Sequence, residues 1–327
     1  MNLLIRIFGL LLCGLLCESV KTLESDKRPV KKVVARAGTN LTLPCAGVVG
    51  EKSVVKIEKL TWKSSQTIIK FINGRPLEQN QRRSLHPKNF SLHFNPVKLI
   101  DSGEYICWIN DNPSHPIDLL VQDVPEAPSR PMITGFTSRS VNLSWAQVQD
   151  PKNAPVTNFI LEIRIGESGE WDQLSKLHTN TSNTSHQITG LSPFTIYSFR
   201  VLAVNSLGIS LPSKESYYIV TLREVPVGKP VMTIAHNTSS NSIYLSWKPP
   251  PSDTIFGEFL GYRITYRARD VKPENINEIL IRESSVESHE IHDLEIYTQY
   301  LISIQVFNPE GLGPATSVVV MTDEGEQ

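Results

Sequence analysis

Cysteine is scarce in this chain: four in 327 residues, at positions 13, 17, 45 and 107, with no C-x-x-C pair to hold zinc or exchange thiols. Long apolar runs are missing after residue 17, where nothing approaches the ~20 residues of a membrane-spanning helix. No charge sign dominates: 32 Lys and Arg stand against 33 Asp and Glu, which disfavours a general nucleic-acid binder. Low-complexity tracts are absent, so disorder is expected only at the ends. Catalytic signatures are absent too. There is no G-x-S-x-G, no H-E-x-x-H and no glycine-rich phosphate loop, so no enzyme chemistry, cofactor or metal is expected. His289 and His292, near Glu287, Glu290 and Asp293, have the nearest thing to ligand spacing, and they read as a solvated polar connection. No Arg-Gly-Asp occurs to support integrin binding.

What the sequence does have begins with a leader. Arg6 is the sole early charge, "IFGLLLCGLLC" follows, and small residues suit cleavage after Ser19. Residues 1–19 read as a signal peptide, the alternative being a retained anchor. Cleavage removes Cys13 and Cys17. Cys45 and Cys107 then have one pairing available, which an oxidising compartment permits; the alternative is two buried thiols. The polar end "MTDEGEQ" carries no lipid-anchor signal.

Around the two cysteines the strands alternate. In "NLTLPC", Leu41, Leu43 and Cys45 share one face; Leu60 and Trp62 follow in "KLTW"; Phe90, Leu92 and Phe94 alternate with polar residues; Tyr105 and Cys107 close the pattern in "DSGEYICW". This order resembles the immunoglobulin superfamily over residues ~30–122. The resemblance implies a Cys45–Cys107 bridge packed by Trp62, and Tyr105 as a tyrosine corner. It also implies Gly103 in the tight turn and Asp101 accepting hydrogen bonds there, with Arg82 or Arg83 as its partner. The wide gap between Cys45 and Trp62, "AGVVGEKSVVKIEK", is a candidate contact loop.

The remainder repeats itself. "VNLSW", ending at Trp145, matches "IYLSW", ending at Trp247; "LSPFTIYSFRVLAVNSLG" matches "LEIYTQYLISIQVFNPEG". Leu191, Tyr197, Asn205 and Gly208 recur 103 residues later as Leu294, Tyr300, Asn308 and Gly311, so one module is present twice. Both copies are cysteine-free and resemble fibronectin type III modules. Trp145 and Trp247 stand as core tryptophans, and Tyr197 and Tyr300 as tyrosine corners. The expected fold is all-β, three tandem sandwiches: an immunoglobulin-like domain at 30–122 and fibronectin type III domains at 125–222 and 226–323. The proline-bearing linkers "VQDVPEAPSRP" and "LREVPVGKP" favour an extended rod.

Six N-x-S/T sequons mark Asn40, Asn89, Asn142, Asn180, Asn183 and Asn237 for N-glycosylation, whereas Pro113 disqualifies Asn112. Asn40 and Asn142 alternate with the inward Leu41 and Leu143 and should face solvent. In "GYRITYRARD", Arg263, Arg267 and Arg269 share an outer face. They could give weak heparan sulfate contact, or they could pair across strands with glutamates such as Glu283. Lys31, Lys32 and Arg36 pose the same choice.

The tandem order resembles neural recognition proteins of the Sidekick, Dscam and protogenin type, carried by "GEFLGYRITYRARD" and "GLGPATSVVVMTDEG". Those families have several immunoglobulin modules and a membrane span, so a short secreted form or truncated ectodomain is expected. The resemblance implies an extracellular, non-catalytic protein that binds a cell-surface or secreted protein, or its own kind, in adhesion or neuronal signalling. An immune protein binding microbial or glycan surfaces is the alternative.

Overall fold

A computed structural model describes residues 29–46, 57–65, 67–72, 75–77, 82–171, 176–269 and 276–325. The leader with Cys13 and Cys17, and most of the candidate loop between Cys45 and Trp62, lie outside the described residues. The chain divides into two compact units. One is built around the first sandwich and the other holds both repeats.

In the first sandwich, β1 (Lys31–Arg36), β3 (Lys59–Lys63), β4 (Thr67–Ile72), β5 (Arg75–Leu77), β8 (Gly103–Ile109), β9 (Asn112–Pro113) and β10 (Ile117–Gln122) form the larger sheet, in the order β1-β10-β8-β3-β4-β5 with β9 on β8. The smaller sheet is β2 (Leu41–Leu43), β7 (Leu92–Phe94) and β6 (Arg83–Leu85). Alternation dictates the core: Leu43, Leu92 and Phe94 face Leu60, Trp62, Cys107 and Leu119, all at most 1% exposed. β1 runs parallel to β10, Lys31 opposite Ile117 and Arg36 opposite Gln122.

The first repeat places β11 (Met132–Phe136), β12 (Ser140–Ser144) and β15 (Ser185–Thr189) in a three-stranded sheet. A second sheet holds β13 (Asn158–Ile165), β14 (Leu177–His178), β16 (Ile196–Asn205), β17 (Gly208–Ile209) and β18 (Ile219–Val220). The second repeat copies this. Its three-stranded sheet is β19 (Val231–Ser239), β20 (Ser242–Lys248) and β23 (Ser288–Ile291); its larger sheet is β21 (Gly261–Ala268), β22 (Asn277–Ile281), β24 (Gln299–Asn308), β25 (Gly311–Leu312) and β26 (Thr316–Met321).

The copies part at their last segment. In the second repeat β26 pairs residue for residue with β24, Thr316 on Ile304 through Met321 on Gln299. In the first, no strand runs between Ile209 and Ile219. Ser210, Ser213 and Ser216 instead grip alternate residues of β16. Each donates its backbone N–H to the carbonyl of Ala203, Val201 or Phe199 (2.9, 2.8 and 2.7 Å), and each hydroxyl accepts the N–H of that same residue (2.9, 2.9 and 3.0 Å). Contact every third residue is the periodicity of polyproline II, and Pro212 sits inside it. Alternation of two cannot place three serines on one edge, and repetition of three can.

Between the repeats the connecting segment is pinned. Glu224 N–H donates to the Phe256 carbonyl at 3.1 Å, and Asn308 Nδ2 donates to the carbonyls of Glu224 and Ile255 at 2.6 and 2.8 Å. Arg139 forks onto Glu224, with Nε–Oε1 at 2.9 Å and Nη2–Oε2 at 2.6 Å, and its hydrogen bonds hold that carboxyl below the usual range. Arg223 pairs with Glu258 and lies 5.5 Å from the Phe194 ring centre.

Candidate binding surface

The first sandwich is locked from inside. Cys45 and Cys107 are joined in a disulfide, their Cα atoms 5.6 Å apart. Trp62, fully buried in the same cluster, donates its indole N–H to the Phe90 carbonyl at 2.9 Å. Asp101 is 1% exposed, yet charged partners surround it. Arg82 and Arg83 both reach it, Arg83 Nη2 at 2.6 Å, and the Lys98 N–H donates to it at 2.8 Å. Burial pushes this carboxyl up; hydrogen bonds from Arg82, Lys98 and Arg83 outweigh it and leave the pKa below its ordinary value. Tyr105 donates its hydroxyl to the Asp101 carbonyl at 2.6 Å, and its pKa is pushed up to about 12 by burial and by the Asp101 charge. Gly103 takes φ +145°, where an L side chain is strained.

These anchors fix the outer face of the larger sheet, which has its own chemistry. Thr61 pairs with Trp108 and Lys63 with Ile106, so alternation turns these side chains away from the core. Lys63 Nζ lies 4.5 Å from the Trp108 ring centre, a cation–π contact that holds the indole against the sheet. Lys63, Ser64, Gly103, Glu104, Ile106 and Trp108 line an open groove of about 510 Å³. Beside it Lys32, Asp118 and Glu104 make a charged row across three strands. Val34, 63% exposed, pairs with Leu120, 38% exposed. Aromatic, aliphatic and charged groups of both signs thus share one wall, a composition suited to protein contact.

In the repeats, Trp145 and Trp247 are buried against Phe159 and Tyr262, at ring distances of 5.1 and 5.2 Å. The Tyr197 and Tyr300 hydroxyls accept the N–H of Ser192 and Glu295, each at 2.9 Å. Arg263, Arg267 and Arg269 lie along one stretch, with partners of their own: Arg263 forms a 2.6 Å ion pair with Glu278, not Glu283, and Arg269 donates to Gln299 Oε1 at 2.9 Å. Lys31, Lys32 and Arg36 are exposed on β1. His289 pairs with Leu245 on the core side of β23, and His292 lies past the strand end, 4.0 Å from Glu290. Among the described residues no three His, Cys, Asp or Glu side chains are grouped to hold a metal, and no helix is long and apolar enough to cross a membrane. Sequence reasoning missed the groove, because Lys63 and Trp108 are adjacent only through strand pairing. It also missed the Arg139–Glu224 and Arg223–Glu258 pairs; the charges in "LREVP" were their only signal.

The family model of the fibronectin type III domain matches residues 126–219 and 228–322, and that of the immunoglobulin domain matches residues 31–118. The chain is 59% identical to the receptor-type tyrosine-protein phosphatase mosPTP-1 of Aedes aegypti over 96% of this chain and 25% of the relative. It is 34% identical to the cell adhesion molecule Dscam1 of Drosophila melanogaster, over 91% of this chain and 16% of the relative. Identity to protein sidekick-2 of Mus musculus is 32%, over 74% and 11% respectively. The chain spans a quarter or less of these curated relatives.

Proposed function

Since the chain belongs to the fibronectin type III domain family, with an immunoglobulin domain ahead of its two repeats, we propose that it is an extracellular recognition segment that binds a cell-surface protein in adhesion or neuronal signalling, without catalysis. Both module types host many roles, so the reading rests on a site rather than on the fold. The observation that carries it is the outer face of the first sandwich, where Lys63 and Trp108 flank an open groove on a sheet held rigid by a buried bridge. Rigid display of an aromatic anchor lowers the ordering cost of association. Identity to Dscam1 and sidekick-2 supports the class of partner, and the disulfide supports an exported location.

The 59% identity to mosPTP-1 favours a narrower form of the reading, in which this recognition segment serves a receptor phosphatase. The test presents the purified, oxidised chain as a multimer to an array of cell-surface proteins, beside a Trp108→Ala, Lys63→Glu double variant. Binding to at least one surface protein is expected, with at least a tenfold loss in the variant while its unfolding temperature stays near the parent's. Binding by neither, or equally by both, removes the reading.

A further inference from the structure

The six N-x-S/T sites are sorted by sheet. Asn40 immediately precedes β2, and Asn89 lies in the turn between β6 and β7. Asn142 is on β12; Asn180 and Asn183 fall in the connection into β15; Asn237 is on β19. Each of these strands belongs to the three-stranded sheet of its module. Among the described residues, no strand of the larger sheets carries a usable site. The nearest approach is Asn112 on β9, and Pro113 occupies the position that must not be proline.

Exposure and strand register set one of these sites apart from the others. Asn142 is exposed between the buried Val141 and Leu143, and it pairs with Gly135, which presents no side chain. Asn40, Asn89, Asn180 and Asn183 are exposed. Asn237 differs. It pairs with Ile243, which is fully buried, so it points to the core side and is half-buried, whereas its flanking His236 and Thr238 are exposed. Ser239, the hydroxyl residue of that site, is already bonded to Asn241 Oδ1 at 2.8 Å and to Ser242 Oγ at 2.7 Å.

We propose that N-linked glycans occupy Asn40, Asn89, Asn142 and, because Asn180 and Asn183 lie three residues apart, one of those two, and that Asn237 stays bare. Transfer joins each asparagine amide nitrogen to the anomeric carbon of a lipid-pyrophosphate-linked oligosaccharide. The C–O bond to pyrophosphate breaks, the amide gives up one proton and the lipid pyrophosphate leaves. Carbohydrate then covers the three-stranded sheets of the immunoglobulin domain and first repeat. The larger sheets, including the Lys63–Trp108 groove, and the whole second repeat remain open to protein contact. This rests on the extracellular reading, because the transfer machinery acts on exported chains.

The test expresses the full chain in animal cells, recovers it from the medium, and removes sugars with an amidase in heavy-oxygen water, so that each occupied asparagine becomes a labelled aspartate. Label is expected at Asn40, Asn89 and Asn142, on one of Asn180 and Asn183 in each molecule, and at neither Asn237 nor Asn112. Label at Asn237, or an unlabelled Asn142, overturns the assignment. A chain in the medium without any label overturns the assignment and leaves export standing. A chain confined to the cytosol overturns both.

Discussion

The first sandwich joins its two sheets through a cystine between Cys45 and Cys107, whereas each repeat joins its sheets through a tryptophan set edge-on against an aromatic of the other sheet, Trp145 on Phe159 and Trp247 on Tyr262. A tyrosine corner serves all three, with opposite polarity. Tyr105 donates to a carbonyl, while Tyr197 and Tyr300 accept an N–H. The first sandwich adds a buried carboxylate between two arginines. One β-sandwich plan therefore tolerates covalent, ionic or purely apolar closure. Which one a module uses sets what it is sensitive to.

Removing the bridge should separate the modules most. Cys107→Ser opens a loop whose ends lie 62 residues apart, a loss of about 4 kcal/mol in the loop-entropy account. Calorimetry should show the transition of the first sandwich shifted far down or gone, and that of the two repeats unmoved. A shared shift would mean that the units do not unfold independently.

Asp101→Asn comes next, at about 2–3 kcal/mol, because Arg82 and Arg83 lose their counter-charge in a part-buried site. The acid response gives a second readout. The Asp101 carboxyl titrates below its ordinary value in the folded state, so as pH falls the unfolded chain takes up the proton first. The ion pair's contribution is complete above about pH 4 and is lost below it. Acid titration of stability should be steeper for the parent first sandwich than for the Asn variant. Equal slopes would remove the ionic account.

The smallest effect contrasts the two repeats. Ser213→Ala strips the acceptor from the buried Val201 N–H and should lower the stability of the first repeat by about 1–2 kcal/mol. In the second repeat, Ser303→Ala removes an exposed hydroxyl contact with Ser317 and should change stability by less than about 0.5 kcal/mol. Equal losses in urea titrations would show that the serine ladder is incidental.

Much of the fold was legible because β-sandwich patterning is local. Leu43 with Cys45, Leu60 with Trp62 and Tyr105 with Cys107 each follow a period of two, and the 103-residue offset is arithmetic on the chain itself. The edges were less legible. "GISLPSKES" carries its serines at a period of three, which a reading tuned to two passes over. Asn237 has the same sequon grammar as Asn142, and no local pattern distinguishes the inward one from the outward.

By itself the sequence determined strand alternation and a module repeated at a 103-residue offset, since both follow from spacing along one dimension, and its resemblances implied the order of the modules and the tyrosines and tryptophans at their centres. Only the tertiary structure decided which side chains meet across strands: Lys63 with Trp108, both arginines on Asp101, Arg139 with Glu224. Strand register is set by turns and core packing between segments far apart in the chain, and a slip of one residue would turn Lys63 or Trp108 to the opposite face.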